Sequence, residues 1–174
     1  DSSDNMLAKA EKTYPYLKFQ KCLIPDELDS LENYDLIFSN ACLHWIPDNE
    51  SFLPKLMSKL NDGGMLAVQM PLVQEAMFYK LLNRLISEGK WKKLSVIHNF
   101  HNLTPNETYD ILSRVSNDIT MWDTTYYHVV PSHDSVIEWY KGSGLRPYLE
   151  MLSPAEKSEF LSDLLAVIKR EYPV

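Results

Sequence analysis

Arg146 is the side chain of this sequence best suited to hold an anionic small molecule. It follows Gly142-Ser143-Gly144 between two predicted helices, where a turn can present a side chain to a pocket. A guanidinium pairs with a carboxylate through two parallel hydrogen bonds, so a ligand with two or three carboxylates would need such a fixed cation. A helix-capping or surface arginine is the alternative interpretation.

Two further polar side chains could serve the same ligand. Tyr126 and His128 alternate with Tyr127 in the segment 119–130, whose Thr, Tyr and Val content predicts a strand. Alternate residues of a strand point to the same face, so both side chains could hydrogen-bond one carboxylate. If that face meets helices instead, they are packing residues, and the pattern leaves both possibilities open.

The elements that would position these residues begin with two short apolar runs. Tyr34–Ser39 and Met65–Met70 each predict a buried parallel strand. Between them, Asp48 can cap a helix, and Asn61–Gly64 predicts the turn that ends it. Strand, helix, turn and strand make a βαβ unit, which builds parallel sheets that bind ligands at the carboxyl ends of their strands.

Four residues lie at or just after those strand ends. Asn40 and Ala41 follow the first run, and Gln69 closes the second, where a polar side chain needs a partner. A ligand or a neighbouring loop would satisfy Gln69 equally, and Asn is common in simple turns. Trp45 could form a wall of the same site, although Trp more often packs in a core or at its rim.

The remaining segments predict mostly helices. The pattern of residues 4–12 predicts a short helix. In residues 17–22, apolar and polar side chains alternate weakly, which predicts a strand. Capping boxes at Thr104–Glu107 and Ser153–Glu156 begin two helices, and Ser132 can cap another. The long helical and polar run between residues 72 and 118 predicts an inserted lid rather than another crossover.

Composition narrows the class of protein. The 174 residues, 45% of them hydrophobic, suit one sizeable core. A net charge of −7, with no basic run longer than Lys92-Lys93, argues against nucleic-acid binding. No apolar stretch approaches the ~20 residues of a membrane span. Cys22 and Cys42, without a CxxC pair, predict buried thiols in a reducing compartment, and hence a cytoplasmic protein.

Several of these segments resemble class I, S-adenosylmethionine-dependent methyltransferases. The first seven residues match the Asp-x-Ser-x-x-Met-Leu pattern that follows the second strand of that family. The most specific similarity is to trans-aconitate methyltransferases. The resemblance covers nearly the whole chain and is carried by Asp1–Leu7, Tyr34–Ala41 with His44–Asp48, Leu66–Pro71, Trp122–His128 and Trp139–Leu149.

The resemblance implies an α/β fold: a Rossmann-type class I methyltransferase sheet, incomplete, with a helical lid insertion. Residues 1–71 would be a partial cofactor domain, 72–118 the lid, and 119–174 the C-terminal strand and helices of the same domain. A glycine-rich loop is expected before Asp1 and a final strand after Pro173.

The resemblance also implies roles for individual residues. Asp1 would accept hydrogen bonds from the ribose hydroxyls of S-adenosylmethionine, although a solvated terminal acid is the alternative. The implied cofactor-binding set is Asp1, Ser2, Met6, Asn40, Ala41 and Trp45, and the implied substrate-binding set is Arg146, Tyr126, His128 and Gln69.

The chemistry that follows is a direct displacement at a methyl carbon. A carboxylate acceptor is already ionised at neutral pH, so neither a metal nor a catalytic base is expected. We therefore expect O-methyl transfer to a small carboxylate such as trans-aconitate. The alternatives are a carboxyl methyltransferase acting on a carrier-bound malonyl group and a truncated, non-catalytic methyltransferase-like domain. A homodimer formed through an exposed sheet edge is also expected.

Overall fold

The computed structural model describes residues 1–87, 89–97 and 103–172. The chain forms two compact units, one from residues 1–71 and 103–120, the other from 72–102 and 121–174. The predicted partition at 71/72 and 118/119 stays a prediction, and part of the predicted lid, residues 88 and 98–102, lies outside the described residues, as does Pro173.

The first unit contains the predicted βαβ arrangement. Strand β1 (Tyr34–Asn40) leads through helix α2 (Asn49–Met57) to strand β2 (Leu60–Gln69). Asp48 caps α2 as predicted, its Oδ1 accepting from the Ser51 N–H at 3.3 Å. The two strands pair in parallel from Leu36↔Met65 to Asn40↔Gln69. This parallel sheet with its crossover helix confirms the predicted α/β class.

The glycine turn before β2 differs from its prediction. Asn61–Gly64 does not separate α2 from the strand but belongs to β2, which already pairs at Tyr34↔Leu60 and is irregular before Leu36. A Cβ at Gly64 would lie 2.9 Å from the Asn61 carbonyl oxygen and 3.0 Å from that of Tyr34. The two strands therefore approach so closely that this position admits a glycine and little else.

One face of this sheet covers the core of the first unit. Ile37 and Leu66 pack against a buried apolar set contributed by α2, by the turns before β1 and before α2, and by helix α4 (Pro105–Leu112). That set is Leu28, Leu43, Ile46, Phe52, Leu53, Leu56 and Ile111. The N-terminal helix α1 (Asp4–Thr13) has no buried residue, and its Met6 is 57% exposed.

The second unit is helical in its described residues. It contains α3 (Met77–Ser87), α5 (His133–Lys141), α6 (Arg146–Glu150) and α7 (Pro154–Glu171). Its core joins residues of all four helices and includes the fully buried Phe78, Leu82, Leu94, Leu145, Phe160, Leu164 and Ile168. The predicted capping boxes at Thr104 and Ser153, and the cap at Ser132, are all confirmed.

Two predicted strands are wrong. Residues 119–130 form neither a helix nor a strand, and they pair with no strand in the described part of the chain. Residues 17–22 form no strand either, although the Cys22 N–H donates to the Asp1 carbonyl oxygen at 3.0 Å. Alternation predicts a strand locally, whereas a strand exists only where a second backbone supplies its hydrogen bonds.

Exposure corrects one prediction about the cysteines. Both thiols are free, but Cys42 is exposed and Cys22 only half-buried, so neither is the buried thiol expected from composition. Among the described residues, no helix combines the length and the apolar character that crossing a membrane requires.

Candidate functional site

The carboxyl ends of β1 and β2 bring three of the predicted site residues together. Asn40 and Gln69 are direct partners in the parallel ladder, and the Ala41 N–H donates to the Gln69 carbonyl oxygen at 2.9 Å. Both side chains are exposed. Because the ladder ends here, the amide groups of Asn40 and Gln69 project beside each other at the edge where parallel sheets bind ligands.

The loop from β1 to α2 has unusual backbone conformations at both of its ends. Ala41 has φ of 50° and Asp48 has φ of 53°, and neither residue is a glycine. A left-handed conformation costs a residue with a Cβ roughly 1–2 kcal/mol, so the surrounding structure must hold it. Such strain is concentrated at functional sites, which makes this loop a candidate.

The middle of that loop is a 3-10 turn, Leu43–Trp45. The N–H groups of Trp45 and Ile46 donate to the carbonyl oxygens of Cys42 and Leu43, each at 3.0 Å. Leu43 and Ile46 are buried in the core of the first unit. Trp45 is 43% exposed, so the turn anchors itself with its apolar residues and leaves the indole at the surface.

His44 lies under the indole. The centroids of the two rings are 5.1 Å apart, and His44 is 4% exposed. Burial lowers the pKa of His44, because desolvation penalises the charged imidazolium. Burial thus favours the uncharged form of the ring that contacts Trp45.

Asn49, the first residue of α2, is the site residue that sequence reasoning missed. Its Nδ2 donates to the carbonyl oxygens of Leu43 at 3.2 Å and Ile46 at 3.1 Å, and the residue is 3% exposed. A signal was present, because an Asn directly after the capping Asp48 can reach back to the carbonyls of the preceding turn.

Ser39, one residue before the strand end, carries a buried hydroxyl. Its Oγ has no hydrogen-bond partner among the described residues, and the residue is 9% exposed. A buried hydroxyl normally has a partner, so Ser39 Oγ has unused hydrogen-bonding capacity next to the strand end.

The predicted cofactor-binding residues Asp1, Ser2 and Met6 lie at the N-terminal end of the first unit, before and within α1. One carboxylate oxygen of Asp1 accepts from the Ser3 N–H at 2.8 Å, and the Asp1 nitrogen donates to the Gln20 carbonyl oxygen at 3.3 Å. Ser3, in turn, caps α1. Asp1, Ser2 and Met6 are all exposed, so the second carboxylate oxygen of Asp1 faces solvent-accessible space.

Tyr126 and His128 lie on one side of the segment 119–130, although no strand forms there. Their ring centroids are 6.2 Å apart and nearly parallel. His128 also meets Trp139 of α5 edge to face, with centroids 4.7 Å apart. Tyr126 is 71% and Trp139 is 54% exposed, so the three rings form an aromatic row at the surface of the second unit.

Arg146 is already engaged by an anion of its own chain. It begins α6, is exposed, and donates from Nε to Oε1 of Glu150 at 2.7 Å. The hydrogen bond that Arg146 donates to this carboxylate, together with the negative charge of Glu150, raises the pKa of Arg146. The arginine thus follows the glycine-containing turn between two helices, as predicted, and Glu150 engages its Nε, while the guanidinium carries further N–H donors that can bind a second carboxylate.

The comparison with known proteins agrees with this arrangement. Residues 1–68 match the family described as "Methyltransferase domain". The chain is 35% identical over 179 aligned residues to the trans-aconitate 2-methyltransferase of Escherichia coli O157:H7, an alignment covering 100% of this chain and 68% of the relative. The enzyme of the same name from Yersinia pestis (strain Pestoides F) is 34% identical over 176 residues, covering 99% and 68%. The parallel βαβ unit and these similarities together place the chain among the class I methyltransferases, in the family of the trans-aconitate 2-methyltransferases.

Proposed function

We propose that this methyltransferase moves a methyl group from S-adenosylmethionine to a carboxylate oxygen of a small polycarboxylate such as trans-aconitate. The observation that carries the proposal is the strand edge where Asn40, Ala41 and Gln69 meet, from which the loop bearing the exposed Trp45 continues. The acceptor is taken from the named activity of the relatives.

The groups at this edge suit a nucleoside ligand. An exposed indole offers a flat apolar surface, and the amides of Asn40 and Gln69 offer both donors and acceptors. The unsatisfied hydroxyl of Ser39 leaves hydrogen-bonding capacity below the edge. Asp1 has one carboxylate oxygen free of the Ser3 N–H, which is what binding a ribose hydroxyl would require.

S-adenosylmethionine supplies an activated methyl group on a sulfonium sulfur. The task left to the protein is alignment, because an ionised carboxylate needs no base to make it a nucleophile. Holding two reactants in an attacking geometry can lower a barrier by roughly 7–11 kcal/mol. Arg146 and the aromatic row of Tyr126, His128 and Trp139 are the groups we assign to holding the acceptor.

Two measurements test the proposal. Calorimetry with S-adenosylhomocysteine tests the donor site, and transfer of labelled methyl groups to trans-aconitate tests the acceptor. We expect saturable donor binding and label in the ester product. Donor binding with label only in other carboxylates would correct the acceptor, and absence of donor binding to this chain would overturn the proposal.

A further inference from the structure

The loop between β1 and α2 reaches a strained conformation that its own backbone does not explain. It begins at Ala41 and ends at Asp48, both left-handed. Within the loop, two backbone hydrogen bonds restrain the chain: the N–H groups of Trp45 and Ile46 donate to the carbonyl oxygens of Cys42 and Leu43. Residues held in disfavoured conformations persist where neighbouring groups over-determine them, so a further restraint is required.

Asn49 supplies that restraint from outside the loop. Its amide donates to the carbonyl oxygens of Leu43 and Ile46 together, and it does so from a position that is 97% buried, since its exposure is 3%. The Leu43 carbonyl thus accepts both the Ile46 N–H and the Asn49 amide. A buried amide with two carbonyl acceptors fixes the distance between the two ends of the 3-10 turn.

The residue is placed where it can act on the ligand edge without touching it. Asn49 follows the loop in sequence and is rooted in α2, whose Phe52, Leu53 and Leu56 are buried. Trp45 lies between the two carbonyls that Asn49 holds. Any change in the turn therefore moves the indole relative to the end of β1.

We propose that Asn49 is a positioning residue for the methyl-donor site. It holds the loop so that Trp45 and the backbone at Ala41 are ready for the ligand before it binds. This assignment rests on the proposed function of the β1 edge as the donor site. Preorganisation of this kind increases affinity because less ordering remains to be done on binding.

The test replaces the amide by groups that cannot donate. Asn49→Asp has nearly the same shape but turns a carboxylate oxygen toward two carbonyls, and Asn49→Ala removes the donor without adding a charge. The matched control is Thr108→Val, which removes another buried hydrogen bond of the same unit, from Thr108 Oγ1 to the Thr104 carbonyl oxygen at 3.0 Å.

Amide hydrogen exchange of the ligand-free chain gives the first readout. We expect exchange across residues 42–48 to rise about tenfold in both Asn49 variants, the effect of losing a buried hydrogen-bond donor. Exchange across β1 and β2 should stay unchanged, and Thr108→Val should leave residues 42–48 at the wild-type rate. If Asn49→Asp fails to fold, Asn49→Ala decides the result.

Calorimetry with S-adenosylhomocysteine gives the second readout. We expect the Kd to rise about tenfold in the Asn49 variants and to stay within about twofold in Thr108→Val. Wild-type exchange across 42–48 in the variants would overturn the inference, and so would faster exchange with an unchanged Kd. If the wild-type chain binds no ligand, the proposed function fails, whereas the exchange data still decide whether Asn49 holds the loop.

Discussion

At the scale of single residues, Arg146, which we propose to bind the acceptor, is already paired with a carboxylate of its own chain. Its guanidinium donates to Glu150 one helical turn away, and both side chains are exposed. Exposed pairs of this kind contribute little to stability, because water screens both charges. If Arg146 binds the acceptor as proposed, Glu150 would therefore compete only weakly with the acceptor carboxylate.

The first prediction concerns this pair. Arg146→Ala should raise KM for trans-aconitate about tenfold, through loss of a charge-assisted pair, and leave kcat within about twofold. Glu150→Gln should lower KM, because the competing carboxylate is gone. Steady-state kinetics on both variants, with Arg114→Ala of the first unit as a control, checks this. An unchanged KM in Arg146→Ala would remove the residue from the acceptor site.

The second prediction is a packing effect at Gly144. A Cβ there would lie 1.8 Å from the phenol oxygen and 2.8 Å from Cζ of Tyr79, which is 8% exposed. Gly144→Ala should therefore destabilise the second unit by about 1–3 kcal/mol, the usual result of overpacking. Gly142→Ala is the matched control, since a Cβ at that position meets nothing within 4 Å.

Thermal or urea unfolding of these variants measures the difference. Adding Tyr79→Phe to Gly144→Ala should restore part of the loss, because it deletes the atom of closest approach but keeps the ring. Equal stability of Gly142→Ala and Gly144→Ala would contradict the packing argument. The result would also explain why the Trp139–Leu149 segment is so specific, since its glycine is fitted to a tyrosine of α3.

At the scale of elements, local signals predicted the helices well and the strands unevenly. Asp48, Thr104, Ser132 and Ser153 all cap helices as expected, because capping depends on groups three residues apart. The segment 119–130 has the right residues for a strand and no partner among the described residues. Its outcome depends on a second backbone, which local alternation cannot reveal.

The site shows the same division between local and tertiary information. Asn40, Ala41 and Gln69 were predictable because parallel strands end at a common edge. The positive φ of Ala41 was not, since nothing about an alanine indicates a left-handed conformation. Nor was the row formed by His128 with Trp139, because that contact joins the segment 119–130 to a helix.

The third prediction concerns the capping box of α7. Glu156 accepts hydrogen bonds from Lys93 Nζ and from the hydroxyl and N–H of Ser153. These contacts lower the pKa of Glu156 to about 2, from an ordinary 4.5. Because the folded-state pKa is the lower one, this stabilisation is full above pH 4.5 and is lost as the pH falls toward about 2.

Unfolding as a function of pH checks this sign. Glu156→Gln should be less stable than wild type at pH 6 and should lose less stability between pH 4.5 and about 2. Glu11→Gln, an exposed substitution on α1 with the same change of charge, is the control. Parallel stability curves for Glu156→Gln and wild type in this window would contradict the assignment.

At the scale of the whole molecule, the outer face of the β1–β2 sheet exposes a group of large apolar side chains. Leu36, Phe38 and Met65 are 56%, 71% and 63% exposed, and they lie on the face opposite Ile37 and Leu66. Parallel sheets are normally covered on both faces, and a free strand edge can pair with another backbone.

The fourth prediction is that this chain associates with a second copy of itself through that sheet. Sedimentation or light scattering from about 1 µM to about 1 mM should show a mass that increases with concentration. Phe38→Lys should weaken the association, because a lysine would have to be buried between the two copies.

Val129→Lys, in the second unit, is the control, since Val129 is 99% exposed and lies outside the sheet. A lysine at position 129 should leave the association unchanged if the sheet is the contact, whereas equal weakening by both variants would mean that general charge repulsion governs it. A wild-type chain that stays monomeric throughout would show that the exposed face does not bind a second copy.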